Sequence, residues 1–183
     1  MKVEDKMNPQ DTEKKRSRFR RDDGSGEHPF GDLGQVICLA AFLAIWILDS
    51  FVFGVTTFLA GSVPLPVRLA TAGLALAAAV YFIQSGHRVI SDASVRQRGL
   101  IKAGAFARVR HPLYLGSLLF YLGLVLISFS FVSLAALGAI FFFYNFIAAY
   151  EEKSLEQEYG LEYREYRRKV SKWLPCVRAA RFG

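Results

Sequence analysis

The chain has 183 residues, of which 52% are hydrophobic and 21% charged, with 23 Lys+Arg against 16 Asp+Glu. The charges are segregated: residues 33–85 carry Asp49 and Arg68 alone and residues 113–150 carry none, so 91 residues hold 2 charges and the other 92 hold 37. Long uncharged apolar blocks match the hydrocarbon core of a bilayer, and they exclude an ordinary soluble domain, in which polar and apolar residues alternate at short period.

In chain order, residues 1–32 hold 8 basic and 8 acidic side chains with little apolar content, which predicts a disordered tail. Residues 34–60 form the first predicted span, ~40 Å long at ~1.5 Å per residue and long enough to cross a ~30 Å core with tilt. The sequence Gly61-Ser62-Val63-Pro64-Leu65-Pro66 predicts a tight return. A second span follows over about 67–84. The 38 uncharged residues 113–150 are about twice the ~20 needed for one crossing, so they read as two spans, 113–128 and 131–150, bent at Ser128-Phe129-Ser130.

The expectation is an all-α integral membrane protein with about four transmembrane helices, the domain proper covering 33–183. Lys+Arg number 8, 6 and 8 in segments 1–32, 86–112 and 151–183, which by the positive-inside rule places both termini and the 86–112 loop in the cytoplasm. The basic excess reads as a topology signal and an attraction to anionic headgroups, not as a nucleic-acid surface. Two cysteines, Cys38 and Cys176, give no disulfide framework, and the three histidines give no metal set.

Three features exceed what a simple helical anchor needs. The first is residues 104–116, GAFARVRHPLYLG, running into the third span. Pro112 suits the first helical position, and the unpaired N–H groups of the following turn, with Arg110 and His111, favour a carboxylate or phosphate. Gly116 leaves room for a ligand or for a neighbouring helix. Arg108 and Arg110 also serve as topology charges in the plainer reading.

The second feature is Glu151-Glu152, two carboxylates closing the fourth span, where they oppose the helix dipole and call for a cationic partner. That partner is either Arg or Lys of the 86–112 loop or a cationic ligand. Third, Leu155, Tyr159, Tyr163, Tyr166 and Val170 recur at helical spacing, and with Trp173 they predict a cytosolic amphipathic helix in the 151–183 tail at headgroup level, interrupted by Gly160. Asp49, an acid inside a span, reads as a structural hydrogen-bonding group.

The run Arg110-His111-Pro112-Leu113-Tyr114-Leu115-Gly116, then Glu151-Glu152-x-x-Leu155, then Tyr159-Gly160-x-Glu162-Tyr163-x-x-Tyr166-x-x-x-Val170-x-x-x-Leu174-Pro175 resembles the isoprenylcysteine carboxyl methyltransferase family, related to the phospholipid N-methyltransferases. The resemblance covers about residues 80–178. It implies an integral membrane methyltransferase using S-adenosyl-L-methionine at the cytosolic face. By position, Gly104, Phe106, Arg110, His111, Pro112, Tyr114 and Gly116 would cradle the cofactor, Glu151 and Glu152 would bind its cationic amino-acid portion, and Tyr163, Tyr166 and Arg167 would wall the acceptor. The acceptor implied is an amphipathic or prenylated molecule reached from the bilayer.

The chain has Gly104-Ala105-Phe106 where many relatives have Gly-Pro-Tyr. Residues 144–150, YNFIAAY, lack the arginine that eukaryotic isoprenylcysteine enzymes tend to carry there. A phospholipid or small-amine N-methyltransferase is the alternative, with a membrane reductase or a non-catalytic membrane subunit further off.

Overall fold

A computed structural model describes residues 29–92 and 99–175, and side chains from residue 33 onward. The predicted tail therefore lies almost wholly outside the described residues. The chain divides into two units, residues 1–37 and 38–183, and only the first helical turns of the first are described.

Every described element is helical. Helix α1 (Pro29–Ile47) passes into a π-helical segment, Leu48–Phe53, and a 3-10 turn follows at Phe58–Ser62. Helix α2 is Leu65–Ser91, a 3-10 turn spans Gly104–Ala107, and then come α3 (Pro112–Ser128), α4 (Phe131–Tyr159) and α5 (Leu161–Lys169). Leu33–Phe53, α2 and α4 are each long and apolar enough to cross a bilayer, and α3 is a shorter apolar helix of 17 residues. With large apolar side chains such as Leu74, Phe142 and Phe146 more than 70% exposed, the outer surface suits hydrocarbon, not water. The chain is an all-α membrane protein with three long apolar helices and a shorter one among the described residues.

The first crossing ends earlier than the sequence predicts. Gly54 takes a left-handed φ of +62° and its N–H bonds back to the Asp49 carbonyl, so the helix stops at Phe53 instead of running to residue 60. The reason is Asp49. Its buried carboxylate accepts from Thr56 N (3.2 Å), Thr56 Oγ1 (2.5 Å) and Ser130 Oγ (2.6 Å), which ties the wide π turn to the start of α4. Asp49→Ala takes the shared acceptor from the part-buried Thr56 N–H and hydroxyl and leaves Ser130 only Ser133, and it should lower unfolding stability in detergent by about 1–3 kcal/mol, measured by thermal or denaturant unfolding.

The turn between α3 and α4 falls at the predicted residues. Phe129 caps α3 with φ +53°, and Ser130 caps α4 by accepting from Ser133 N at 3.0 Å. Arg68 reaches across from α2 to the exposed Ile127 carbonyl, placing a cation on the negative end of α3. Trp46 Nε1 donates to the Leu124 carbonyl at 2.9 Å. The two charges in the predicted spans thus both stitch this end of the bundle.

Helices α2 and α3 make the most extensive contact. Small residues let them approach: a Cβ on Gly116 would lie 2.6 Å from Ile83 and 3.2 Å from the Ala79 carbonyl oxygen, and one on Gly123 would lie 2.8 Å from Leu76. The opposite face of α3 packs Tyr114, Leu118, Tyr121 and Val125 against Phe42 of α1 and Ile140, Tyr144 and Ala148 of α4. Helix α2 extends to Ser91 and α4 to Tyr159, both beyond the predicted spans. At Gly160, φ +54° and ψ −119°, a backbone only glycine adopts readily, α4 stops and α5 turns away. Leu155 and Tyr159 therefore belong to α4.

Candidate functional site

The other end of α3, ~25 Å from the Asp49 network at ~1.5 Å per residue, holds the titratable cluster. Pro112 occupies the first position of α3 and His111 is its N-cap, so the chain enters the helix with the His111 ring directed at α4. There Glu151 and Glu152 project toward it. His111 Nε2 lies 3.0 Å from Glu152 Oε1 and Nδ1 lies 3.5 Å from Glu151 Oε2. Tyr114, one turn further, donates to Glu151 Oε1 at 2.5 Å.

Arg110 completes the set, with Nη1 3.1 Å from Glu152 Oε1 and its side chain 11% exposed. That contact is close but poorly directed, and Arg110 Nε and Nη1 are buried without a hydrogen-bond partner. Buried guanidinium donors left open cost stability unless something accepts them. The net charge of Arg110, Glu151 and Glu152 is one negative, which a protonated His111 cancels.

Burial pulls the His111 imidazole down, but its hydrogen bonds to Glu151 and Glu152 and their charges outweigh this, and the net shift is upward from 6.5. A raised value in the folded state makes this contribution to stability full below the unfolded value of about 6.5, and it is lost as pH rises through the folded value.

The chain after α5 folds back over this cluster. Arg110 N donates to the Ser171 carbonyl at 3.0 Å. Trp173 lies 6.0 Å from the His111 ring and 5.5 Å from Phe141, and its Nε1 donates to Asn145 Oδ1 at 3.2 Å. Lys172 Nζ donates to the Asn145 carbonyl at 3.2 Å. The sequence marks Trp173 only as part of the aromatic tail and does not single out Asn145 or Lys172 for the site. The signal was present in Asn145, a polar side chain inside an uncharged apolar block that needs a partner there.

The predicted site residues divide. Arg110, His111, Pro112, Tyr114, Glu151 and Glu152 converge, and Tyr163, 1% exposed, joins them through Arg110. Burial pushes the Tyr163 phenol up to about 12, which keeps it neutral while its oxygen accepts from the Arg110 guanidinium. Tyr166 hydrogen-bonds the Phe106 carbonyl at 2.8 Å and so fastens α5 to the 104–107 turn.

Gly104, with φ +59°, faces Val89 and Ser85 of α2, and Gly116 faces Ile83. Both glycines serve close packing of α2. Arg167 is 53% exposed and pairs with Glu156 at 3.3 Å, directed away from the cluster. The apolar face of the tail helix is also turned inward: Tyr163, Tyr166 and Val170 pack with Leu100, Leu155 and Tyr159, not against headgroups. A cavity of about 160 Å³ at the far end, among Ser50, Thr57, Arg68 and Ser128, lacks any comparable chemistry, since Arg68 is already bound by carbonyls.

An Arg-His-Glu-Glu cluster thus joins the start of the third helix to the last turns of the fourth. The family model for phospholipid methyltransferase matches residues 66–162, just over half of the chain, and takes in α2, α3, α4 and the cluster. The protein belongs to the phospholipid methyltransferase family, that of the isoprenylcysteine carboxyl methyltransferase-like proteins, and methyltransferase activity is what the family implies. No curated protein and no solved structure matches the chain.

Proposed function

We propose that the protein transfers a methyl group from S-adenosyl-L-methionine to the headgroup of a lipid-like acceptor at the cytosolic surface of the membrane, as an isoprenylcysteine carboxyl O-methyltransferase does. The observation that carries this reading is the pair of open buried donors on Arg110 beside two glutamates. The amino-acid end of the cofactor is a zwitterion. Its carboxylate fits the open Nε and Nη1 of Arg110, and its ammonium fits Glu151 and Glu152, so the donor set matches the ligand in sign at both ends.

When bound, S-adenosyl-L-methionine supplies an electrophilic methyl group on a sulfonium, and S-adenosylhomocysteine is what leaves. The residues of the chain orient and enclose. Tyr114 holds Glu151 in place, and Trp173, fastened to Asn145, roofs His111 and keeps water out. Displacement of this kind depends on alignment and a dry site more than on a protein nucleophile. An acceptor carboxylate is ionised at neutral pH and needs no base. The density of basic side chains in segments 86–112 and 151–183 supports a cytosolic site, which cofactor reaches from water and acceptor from the bilayer.

A second reading is methyl transfer to a phospholipid amine, favoured by the description of the matching family. An amine must lose a proton to attack, so that chemistry needs a general base. Purified protein in vesicles with methyl-labelled cofactor and a membrane extract separates the two. A labelled product that releases methanol in base is expected. A base-stable product would replace the carboxylate by an amine, and no labelled product in any extract would overturn the methyltransferase reading.

A further inference from the structure

His111 has a carboxylate oxygen beside each ring nitrogen, Glu152 Oε1 within hydrogen-bond reach of Nε2 at 3.0 Å and Glu151 Oε2 at 3.5 Å from Nδ1, and its side chain is 7% exposed. A neutral imidazole has one N–H and can satisfy only one of them. The doubly protonated ring donates to Glu152 and sets a second N–H and a positive charge beside Glu151. The fixed charges agree, because Arg110 neutralises one of the two glutamates and the other needs a cation when no ligand is bound. The groups around the ring are Glu151 and Glu152 from α4, Arg110 from the preceding loop, Tyr114 from α3, Tyr163 from α5, which reaches Arg110, and Lys172 and Trp173 from the C-terminal segment. Of these, Tyr114 donates to Glu151 as a neutral phenol, Tyr163 accepts from Arg110, and Lys172, whose charge also acts on both glutamates, is hydrogen-bonded to the Asn145 carbonyl, so the ring is the cation placed directly against Glu151.

We propose that His111 is a resident counter-ion: it holds Glu151 and Glu152 in place before the cofactor arrives and releases one proton when the cofactor's ammonium takes over Glu151. This inference rests on the cofactor assignment above. The proton leaves Nδ1 for solvent, and Nε2–H stays on Glu152. Glu151, still held by Tyr114, then turns its second oxygen to the ammonium. His111 is a positioning residue in this scheme, acting through the two glutamates.

Two consequences follow from charge alone. S-Adenosylmethionine carries a net positive charge, whereas S-adenosylhomocysteine has lost the sulfonium and is neutral overall, so the methyl donor should expel the proton more completely than the product. The affinity for the donor should also rise with pH, by about tenfold per unit below the folded value of His111, and level off above it. The upward shift of His111 places the levelling-off above about pH 6.5, so affinity is still rising at that pH.

Calorimetry of the purified protein with S-adenosylmethionine, in two buffers of different ionisation enthalpy at about pH 6.5, counts the protons directly. The expected count is close to one released per donor bound and smaller for S-adenosylhomocysteine. His111→Gln, which keeps a donor for Glu152, should bind with a count near zero and a flat pH profile. Binding by the parent with no buffer dependence would overturn the inference and leave the cofactor assignment standing. An unchanged proton count in His111→Gln would assign the proton to another group and equally overturn it. Absence of binding by the parent would overturn the assignment and the inference together. If His111→Gln does not fold, the parent's proton count and its pH profile still decide.

Discussion

Glu152→Gln should reduce methyl transfer by about 100-fold or more, equal to about 2.8 kcal/mol at about 1.4 kcal/mol per decade, and should weaken S-adenosylhomocysteine binding to a similar degree. The substitution changes one oxygen to an amide, yet Glu152 is the common partner of His111 Nε2 at 3.0 Å and Arg110 Nη1 at 3.1 Å. Removing its charge leaves the Arg110 guanidinium buried with still fewer acceptors. Breaking one side of a buried pair costs about 3–5 kcal/mol, so the folded protein should also melt at a lower temperature. Methyl-transfer assays alongside thermal unfolding separate the two effects. Full activity in a folded Glu152→Gln protein would show that the acidic pair is not part of the site.

Gly116→Ala should damage the α2–α3 contact. The new Cβ would stand 2.6 Å from Ile83 and 3.2 Å from a backbone carbonyl of α2, and backbone cannot step aside as a flexible side-chain end can. Overpacking of this kind costs about 1–3 kcal/mol, and because α2 and α3 carry the 104–112 segment between them, the separation should reach Arg110 and His111 and lower activity. Gly138→Ala provides the contrast. Nothing lies within 4 Å of a Cβ there, so the exchange should be neutral or stabilise α4 by up to about 1 kcal/mol. Equal melting temperatures for Gly116→Ala and the parent would contradict the close α2–α3 contact.

The membrane character and the helix count were legible in the sequence because charge exclusion over 91 residues is a property of composition. The boundary at Gly54 was not. It depends on Asp49 reaching Thr56 and Ser130, and the latter is 81 positions away in sequence. Arg110, His111 and Glu151-Glu152 do come together, as charges at the predicted span ends in need of partners suggested, although α4 runs on past the two glutamates to Tyr159.

The wall of that site was harder to read. Tyr163 and Arg167 lie one turn apart on α5, but whether a residue faces the cluster or Glu156 depends on where Gly160 turns the chain. The aromatic face of the tail pointed correctly to burial and incorrectly to lipid, because an apolar stripe at helical spacing carries no information about whether protein or membrane covers it. Trp173 on His111, likewise, requires the turn after α5 to bring the chain back across α4 to Asn145.

Thermal unfolding of the purified protein with increasing S-adenosylmethionine is the most direct measurement of whether this cluster is a cofactor site. The account predicts a concentration-dependent rise in melting temperature, corresponding to about 2.7 kcal/mol at a hundredfold excess over the dissociation constant, and no rise in Glu152→Gln. A parent protein that is folded and does not respond at any concentration, or a Glu152→Gln protein that responds like the parent, would contradict it.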